Sequence, residues 1–310
     1  MLFKNIGIIN EEFKYQEDMT VGVKGDRITY IGKEVPADAD TYGETYDGKN
    51  KVLMSGFYNA HGHSPMCLMR GYGENLSLHD WLNNKIFPFE AKLYNKAVYW
   101  STLMTMAESL RFGIVSTNDM YYFIDDMVRA YSVAGAKVNI SRSVANPAGG
   151  PLDECIGFKE MRDSIMMYDG FENGKIYVDA SAHAEYTNDE KTLRAIADTA
   201  KEYDVRMHVH LSETKFEADG CIERYGKTTA EFLDDCGLFD QPATAAHCVW
   251  LTEGDMDLLK DKGVSIASCP SSNFKLASGI ADIPAMYKKG LNVALGTDSV
   301  ASNNSLNYIE

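Results

Sequence analysis

The chain of 310 residues is predicted to be an α/β protein, a closed TIM-like (β/α)8 barrel preceded by a small N-terminal β-sheet region. Three observations predict it. From residue 52 on, short apolar segments alternate with longer helical ones, the pattern of parallel strands joined by helical crossovers. Eight such strand candidates can be counted, which favours a closed barrel over an open doubly wound sheet. Histidines then collect at the C-terminal ends of those candidates, the rim on which a parallel barrel gathers its chemistry.

Residues 1–51 read as the strands of a small β domain, at 6–9, 19–23 and 28–31, with Gly25-Asp26 turning the chain before the third. Residues 52–310 read as the barrel. Its strands are expected at 52–60, 114–119, 137–143, 176–183, 206–211, 244–249, 264–268 and 292–296. Helices are expected at 97–112, 124–134, 158–168, 189–203, 229–236, 252–262 and 283–289. Asn95, Thr187 and Thr252 are placed as N-caps, because their side chains can accept an unpaired helix N–H. Gly113, Gly263 and Gly290 stand where helices would stop. The sequence ends soon after the last strand, so the final barrel helix and the C-terminal β strands are expected to be missing, as in a truncated protein.

Composition excludes several classes. Thirty basic against 45 acidic residues leave a formal charge of −15, which argues against binding a nucleic acid polymer. No run approaches the roughly 18 apolar residues of a membrane span, and no export signal is apparent at the N-terminus. The six cysteines form no C-x-x-C pair and read as free thiols of a cytoplasmic protein. A homo-oligomer is compatible with all of this.

The chemistry lies in the histidines. His61-Gly62-His63 ends the first barrel strand, and alternating strand side chains put both imidazoles on one face, where they can share a metal ion. His208 and His210 alternate in the same way. His210 is nearer the strand end and is assigned as a ligand, leaving His208 to the core or to support of the ligands. Asp298 emerges from a buried strand, where an uncompensated carboxylate would cost heavily. With His61, His63 and His210 it completes a shell of three nitrogens and one oxygen, suited to one Zn(2+) or Fe(2+) with room for water. Glu213, three residues after His210, is the candidate for moving protons. His247 can orient the nucleophile or polarise the bond under attack, and Asp298 can share the proton. His79 reads as a surface or packing residue, and Cys248 and Cys269 as small core residues.

The motifs Ser55-Gly56-Phe57-Tyr58-Asn59-Ala60-His61-Gly62-His63, His210-Leu211-Ser212-Glu213-Thr214, Ala246-His247-Cys248, Cys269-Pro270-Ser271-Ser272-Asn273 and Gly296-Thr297-Asp298-Ser299 carry a resemblance. In this order they resemble the amidohydrolase superfamily, closest to its 5'-methylthioadenosine/S-adenosylhomocysteine deaminases, relatives of the triazine chlorohydrolases. The resemblance implies a mononuclear site held by His61, His63, His210 and Asp298, with proton transfer by Glu213 assisted by His247 and Asp298. The end of the fourth strand, Ala180-Ser181-Ala182-His183-Ala184, offers no lysine to bridge a second metal. The resemblance also puts His183, Trp81 and Glu90 in the substrate pocket, Glu90 accepting ribose hydroxyls and Trp81 packing on the ligand. Arg142 is implied to anchor the polar tail, but the second arginine expected downstream is replaced by Gly149-Gly150-Pro151, which weakens the case for a carboxylate-bearing tail. The implied activity is hydrolytic deamination of an adenine nucleoside (methylthioadenosine, S-adenosylhomocysteine or adenosine) by metal-activated water. The alternatives are a deaminase or chlorohydrolase of a guanine, pterin or triazine, or an inactive metal-binding remnant.

Overall fold

The computed structural model describes residues 1–309, which divide after Gly56 into two units. The first is a mixed sheet. Strands β1 (Leu2–Ile9), β2 (Tyr15–Lys24) and β3 (Arg27–Gly32) are antiparallel neighbours, while β4 (Thr45–Asp47) and β5 (Val52–Leu53) lie parallel to β1. Gly25, at φ +60, opens the two-residue turn between β2 and β3, a conformation that costs glycine nothing. Ile6, Ile8, Met19 and Val21 form the core of this unit.

The second unit is an eight-stranded parallel sheet in sequence order. Its strands are β6 (Phe57–Gly62), β7 (Ile114–Tyr121), β8 (Lys137–Arg142), β9 (Ile176–Ser181), β10 (Met207–Leu211), β11 (Ala243–His247), β12 (Ser265–Ser268) and β13 (Asn292–Leu295). A parallel bridge between Gly62 and Asp298 brings the first and last strand ends together, so the sheet is a nearly closed barrel of TIM type. Helices on its outside share one core with the strands, which includes Tyr131, Ile140, Met161 and Leu193. Ile140 in β8 is fully buried there, and Ile140→Ala is expected to lower stability by about 2–5 kcal/mol in urea unfolding.

Several local expectations need correction. The strand expected over 52–60 is two strands, because residues Val52–Leu53 pair with β1 and the barrel strand starts only at Phe57. Thr252 caps its helix, accepting from Asp255 N–H. Thr187 does not cap the helix Glu190–Tyr203; Asp189, two residues on, accepts from Thr192 N–H instead. Asn95 is the first helical residue of Asn95–Arg111, and its amide donates to Asp126 at 2.6 Å. A helix was not expected after the last strand, yet a one-turn helix, Val300–Asn303, follows β13, capped by Ser299. No helix among the described residues is long and apolar enough to cross a membrane.

Candidate active site

The C-terminal ends of β6, β10 and β11 and the turn after β13 converge on one cluster. The rings of His61 and His210 lie 4.8 Å apart, and those of His61 and His63 4.7 Å apart. Asp298 Oδ1 stands 3.1 Å from His63 Nε2 and 3.5 Å from His61 Nε2. Asp298 reaches this point because β13 crosses tightly beside β6: a Cβ on Gly296 would lie 2.8 Å from Cys269 Sγ and 2.9 Å from His61 Cβ. Gly296→Ala is therefore expected to push His61 out of place, costing about 1–3 kcal/mol and weakening metal retention, which metal analysis after gel filtration would read.

The hydrogen bonds behind each ring decide which nitrogen faces inward. A carbonyl can only accept, so His63 Nδ1 donates to Met120 O at 2.5 Å and His210 Nδ1 to His183 O at 2.6 Å. Both Nε2 atoms are thus directed at the cluster, 3.4 Å apart. His61 Nδ1 is paired with His208 Nε2 at 2.9 Å, and its own Nε2 is fully buried with no hydrogen-bond partner among the described residues. An orphaned buried imidazole nitrogen is costly, and here it points at two other imidazoles and a carboxylate. That observation, with the chemistry of the donors, fits a divalent metal. The geometry yields two overlapping groups, His61–His63–Asp298 and His61–His210–His247, which form a single divalent-metal site. Asp298 Oδ2 faces away from the cluster and accepts from Ser272 at 2.5 Å and Ser302 at 2.8 Å, which orients Oδ1 inward.

Electrostatics agree with the shape. Burial pushes His61 down to about 3, against the pull of Asp298. For His63 burial acts in the same direction but is outweighed by the hydrogen bond to Asp298, and the ring is pushed up to about 9. Asp298 is held well below the usual carboxylate range, burial being overcome by the two histidines. Burial drives His183 down to about 4, so it is neutral.

Glu213 sits on the next turn, buried, with its carboxyl pushed up by burial and partly pulled back by His247. Its Oε1 is 3.7 Å from His247 Nδ1 and accepts from Ser278 at 3.2 Å. His247 Nδ1 is held by Asn273 Oδ1 at 2.9 Å. The strand-end turns at the site are strained, since Ser212 (φ 48), His247 (φ 69), Cys248 (φ 52) and Asp298 (φ 55) are all left-handed without being glycine. Glu217 holds the Ser212–Glu213 turn, its two oxygens accepting Ser212 N–H at 2.8 Å and Glu213 N–H at 2.9 Å. Glu217→Ala is expected to keep the metal but lower kcat roughly 10²-fold through a misplaced Glu213; an unchanged kcat would show that the clamp does not position it.

A cavity opens from this cluster, lined by His63, Trp81, Glu90, Tyr121, Ser143, His183, His210, Glu213, His247 and Asp298. Trp81, Glu90 and His183 thus reach the same space as the metal-site residues. Burial pushes the Glu90 carboxyl up. Arg142 is not among the lining residues: its guanidinium pairs with Glu160 at 2.6 Å and stacks on Tyr122 at 4.7 Å. His79 is exposed in a one-turn helix, 6.0 Å from the Phe216 ring. Sequence reasoning missed the supporting polar residues Ser272, Asn273, Ser278, Ser302 and Glu217. Ser272 and Asn273 had a signal in the Cys269–Asn273 motif; the others lie in segments without one.

Comparison with known proteins places this architecture. The amidohydrolase family pattern matches residues 52–310. A 5-methylthioadenosine/S-adenosylhomocysteine deaminase of Caldanaerobacter subterraneus is 40% identical over all of this chain and 71% of its own length. A 5'-deoxyadenosine deaminase of Methanosarcina mazei is 37% identical over 94% of this chain and 66% of its own. Among solved structures, a zinc-bound adenosine deaminase from Xanthomonas campestris superimposes with a TM-score of 0.87 at 30% identity, covering 99% of this chain and 70% of that one. An atrazine chlorohydrolase from Arthrobacter aurescens shares the fold, with a TM-score of 0.88 at 23% identity over 99% of this chain and 73% of its own. The chain belongs to the amidohydrolase family and is a metal-dependent hydrolase.

Proposed function

We propose that this protein deaminates an adenine nucleoside, replacing the ring amino group by oxygen and releasing ammonia. The observation that carries the reading is the buried Glu213, its carboxyl pushed up by burial, beside the metal-site histidines on one cavity wall. The substrate class is supported by the relatives, which are named for 5-methylthioadenosine, S-adenosylhomocysteine and 5'-deoxyadenosine.

In this reading His61, His63, His210 and Asp298 hold one divalent ion, zinc as in the related adenosine deaminase structure. When bound, the ion supplies a water acidic enough to attack near neutral pH. Glu213 would accept one proton of that water and pass it to the ring nitrogen next to the reacting carbon, and the water's second proton would go to the departing amine as the carbon–nitrogen bond breaks. Its raised pKa suits a group that must both take and give a proton. His247, locked by Asn273, would steady the incoming oxygen, and Asp298 would share in the proton transfer. Neutral His183 offers its ring to the heterocycle, Trp81 packs on the ligand, and Glu90 accepts hydrogen bonds from sugar hydroxyls. Arg142, committed to Glu160, contributes no free cation to the cavity wall, which favours an uncharged tail over a carboxylate.

An ammonia-release assay on metal-reconstituted protein with adenosine, methylthioadenosine, S-adenosylhomocysteine, guanine and cytosine tests this directly. Turnover of the adenine nucleosides is expected; release from guanine or cytosine alone, or from none, would refute the reading.

A further inference from the structure

One inward layer below His210, the barrel core is polar. The inward positions of a parallel barrel are ordinarily filled by branched aliphatic side chains. Here β8 contributes Ser141, β9 Ser181 and β10 His208, and all three are completely buried. Taking an imidazole out of water is costly unless each ring nitrogen finds a partner. His208 finds two: its Nε2 lies 2.9 Å from His61 Nδ1, and its Nδ1 lies 3.4 Å from Ser141 Oγ. Ser181 pairs in register with His208, yet its hydroxyl has no partner among the described residues.

The direction of these bonds follows from the chemistry of a ligand. A neutral imidazole carries one N–H and one bare nitrogen. His61 can hold a metal only through a bare nitrogen, and its Nε2 is the atom that faces Asp298, at 3.5 Å. The His61 proton must then sit on Nδ1 and be donated to His208 Nε2. A His208 protonated at Nε2 would set two N–H groups against each other, so its proton belongs on Nδ1, donated to the Ser141 hydroxyl. His63 and His210 need no such support, because backbone carbonyls, which only accept, fix their protons on Nδ1. His61 has no carbonyl behind it. The His61–His208–Ser141 column can also run the other way, with Ser141 donating to His208 and His208 to His61, which puts the His61 proton on Nε2. Both directions hold the same number of protons, so only the partner at Nε2 decides between them.

We propose that His208 and Ser141 are positioning residues that form a hydrogen-bonded column with His61 and keep its Nε2 bare for the metal ion. The proposal rests on His61 being a ligand and goes beyond it, since it makes metal affinity depend on two residues that never touch the ion.

The test is zinc affinity by competition with a chromogenic chelator, run beside NMR of zinc-loaded, 15N-histidine-labelled protein, in which the ring nitrogens report where each proton sits. In the unaltered protein His61 and His208 should both be protonated at Nδ1 and bare at Nε2, with His61 Nε2 shifted by zinc. His208→Leu should weaken zinc binding about 10–100-fold with the fold kept by circular dichroism. His208→Gln, which offers a carbonyl oxygen where Nε2 stood, should recover most of that loss. Ser141→Ala should weaken binding severalfold, and Ser181→Ala should leave it unchanged. If His208→Leu does not fold, the NMR tautomers and Ser141→Ala carry the test. A proton on His208 Nε2 in the zinc-loaded protein, or unchanged affinity in His208→Leu or Ser141→Ala, overturns the proposal. So does a His208→Gln variant as weak as His208→Leu, or a Ser181→Ala loss equal to that of Ser141→Ala, since either would reduce these residues to packing. A His61 Nε2 that zinc does not shift would remove His61 from the ligand set and the column with it.

Discussion

Glu213→Gln is expected to leave one metal per chain in place and to lower kcat by about 10²–10⁴-fold, the range for losing a general acid–base. The carboxyl lies outside the nitrogen–oxygen shell of the metal site, on the cavity wall beside His247, with Ser278 and the Glu217-clamped turn fixing it. An amide of the same shape keeps those contacts and cannot relay the proton. The pH profile should move in a defined direction. Burial raises the Glu213 carboxyl above its ordinary 4.5, so in the unaltered enzyme the proton acceptor is lost as pH falls through a value higher than 4.5. The acid limb of kcat/KM should therefore lie above that of a free carboxylate. Full activity in the glutamine variant would remove Glu213 from the proton path.

His61→Ala is expected to lose the metal. His61 is completely buried, its Nε2 has no other partner among the described residues, and it belongs to both overlapping donor groups. The remaining donors would have to close around a void at the centre of the site. Metal analysis after dialysis should show well under one ion per chain, with the fold retained by circular dichroism; stoichiometric metal in this variant would contradict the ligand assignment. Binding should also be pH-linked. In the metal-free protein Asp298 pushes His63 up to about 9, so a proton must leave before the ring can ligate. Metal affinity should then weaken steadily as pH falls below about 9, and Asp298→Asn, which removes the charge that holds the proton, should flatten that dependence while lowering affinity overall.

Much of this site was legible because a parallel barrel turns strand ends into neighbours. The His61–His63 pair, His210, His247 and Asp298 are far apart in sequence, yet each follows a recognisable apolar segment, and the barrel order brings them to one rim. The choice of His210 over His208 also follows from its position nearer the strand end; in the structure His208 stands behind His61, holding its Nδ1. What the sequence hid depends on tertiary approach rather than period. Whether Arg142 reaches the cavity turns on Glu160, a helix residue whose direction no spacing reveals. Glu217 looks like an ordinary acidic residue in the first turn of a helix, and only the left-handed Ser212 shows why its two oxygens are needed. The cap expected at Thr187 falls on Asp189, whose carboxylate reaches Thr192 N–H, while Asn95 is itself the first helical residue, after Tyr94, whose side chain caps nothing. The expected strand over 52–60 broke because its first residues found a partner in β1 of the N-terminal sheet.

The most direct measurement is mass spectrometry of the products formed from adenosine by the zinc-loaded enzyme in 18O-labelled water. Hydrolytic deamination predicts inosine carrying one 18O on the ring carbon that bore the amino group, with one ammonia released per turnover. Unchanged adenosine, or free adenine from cleavage of the glycosidic bond, would contradict it.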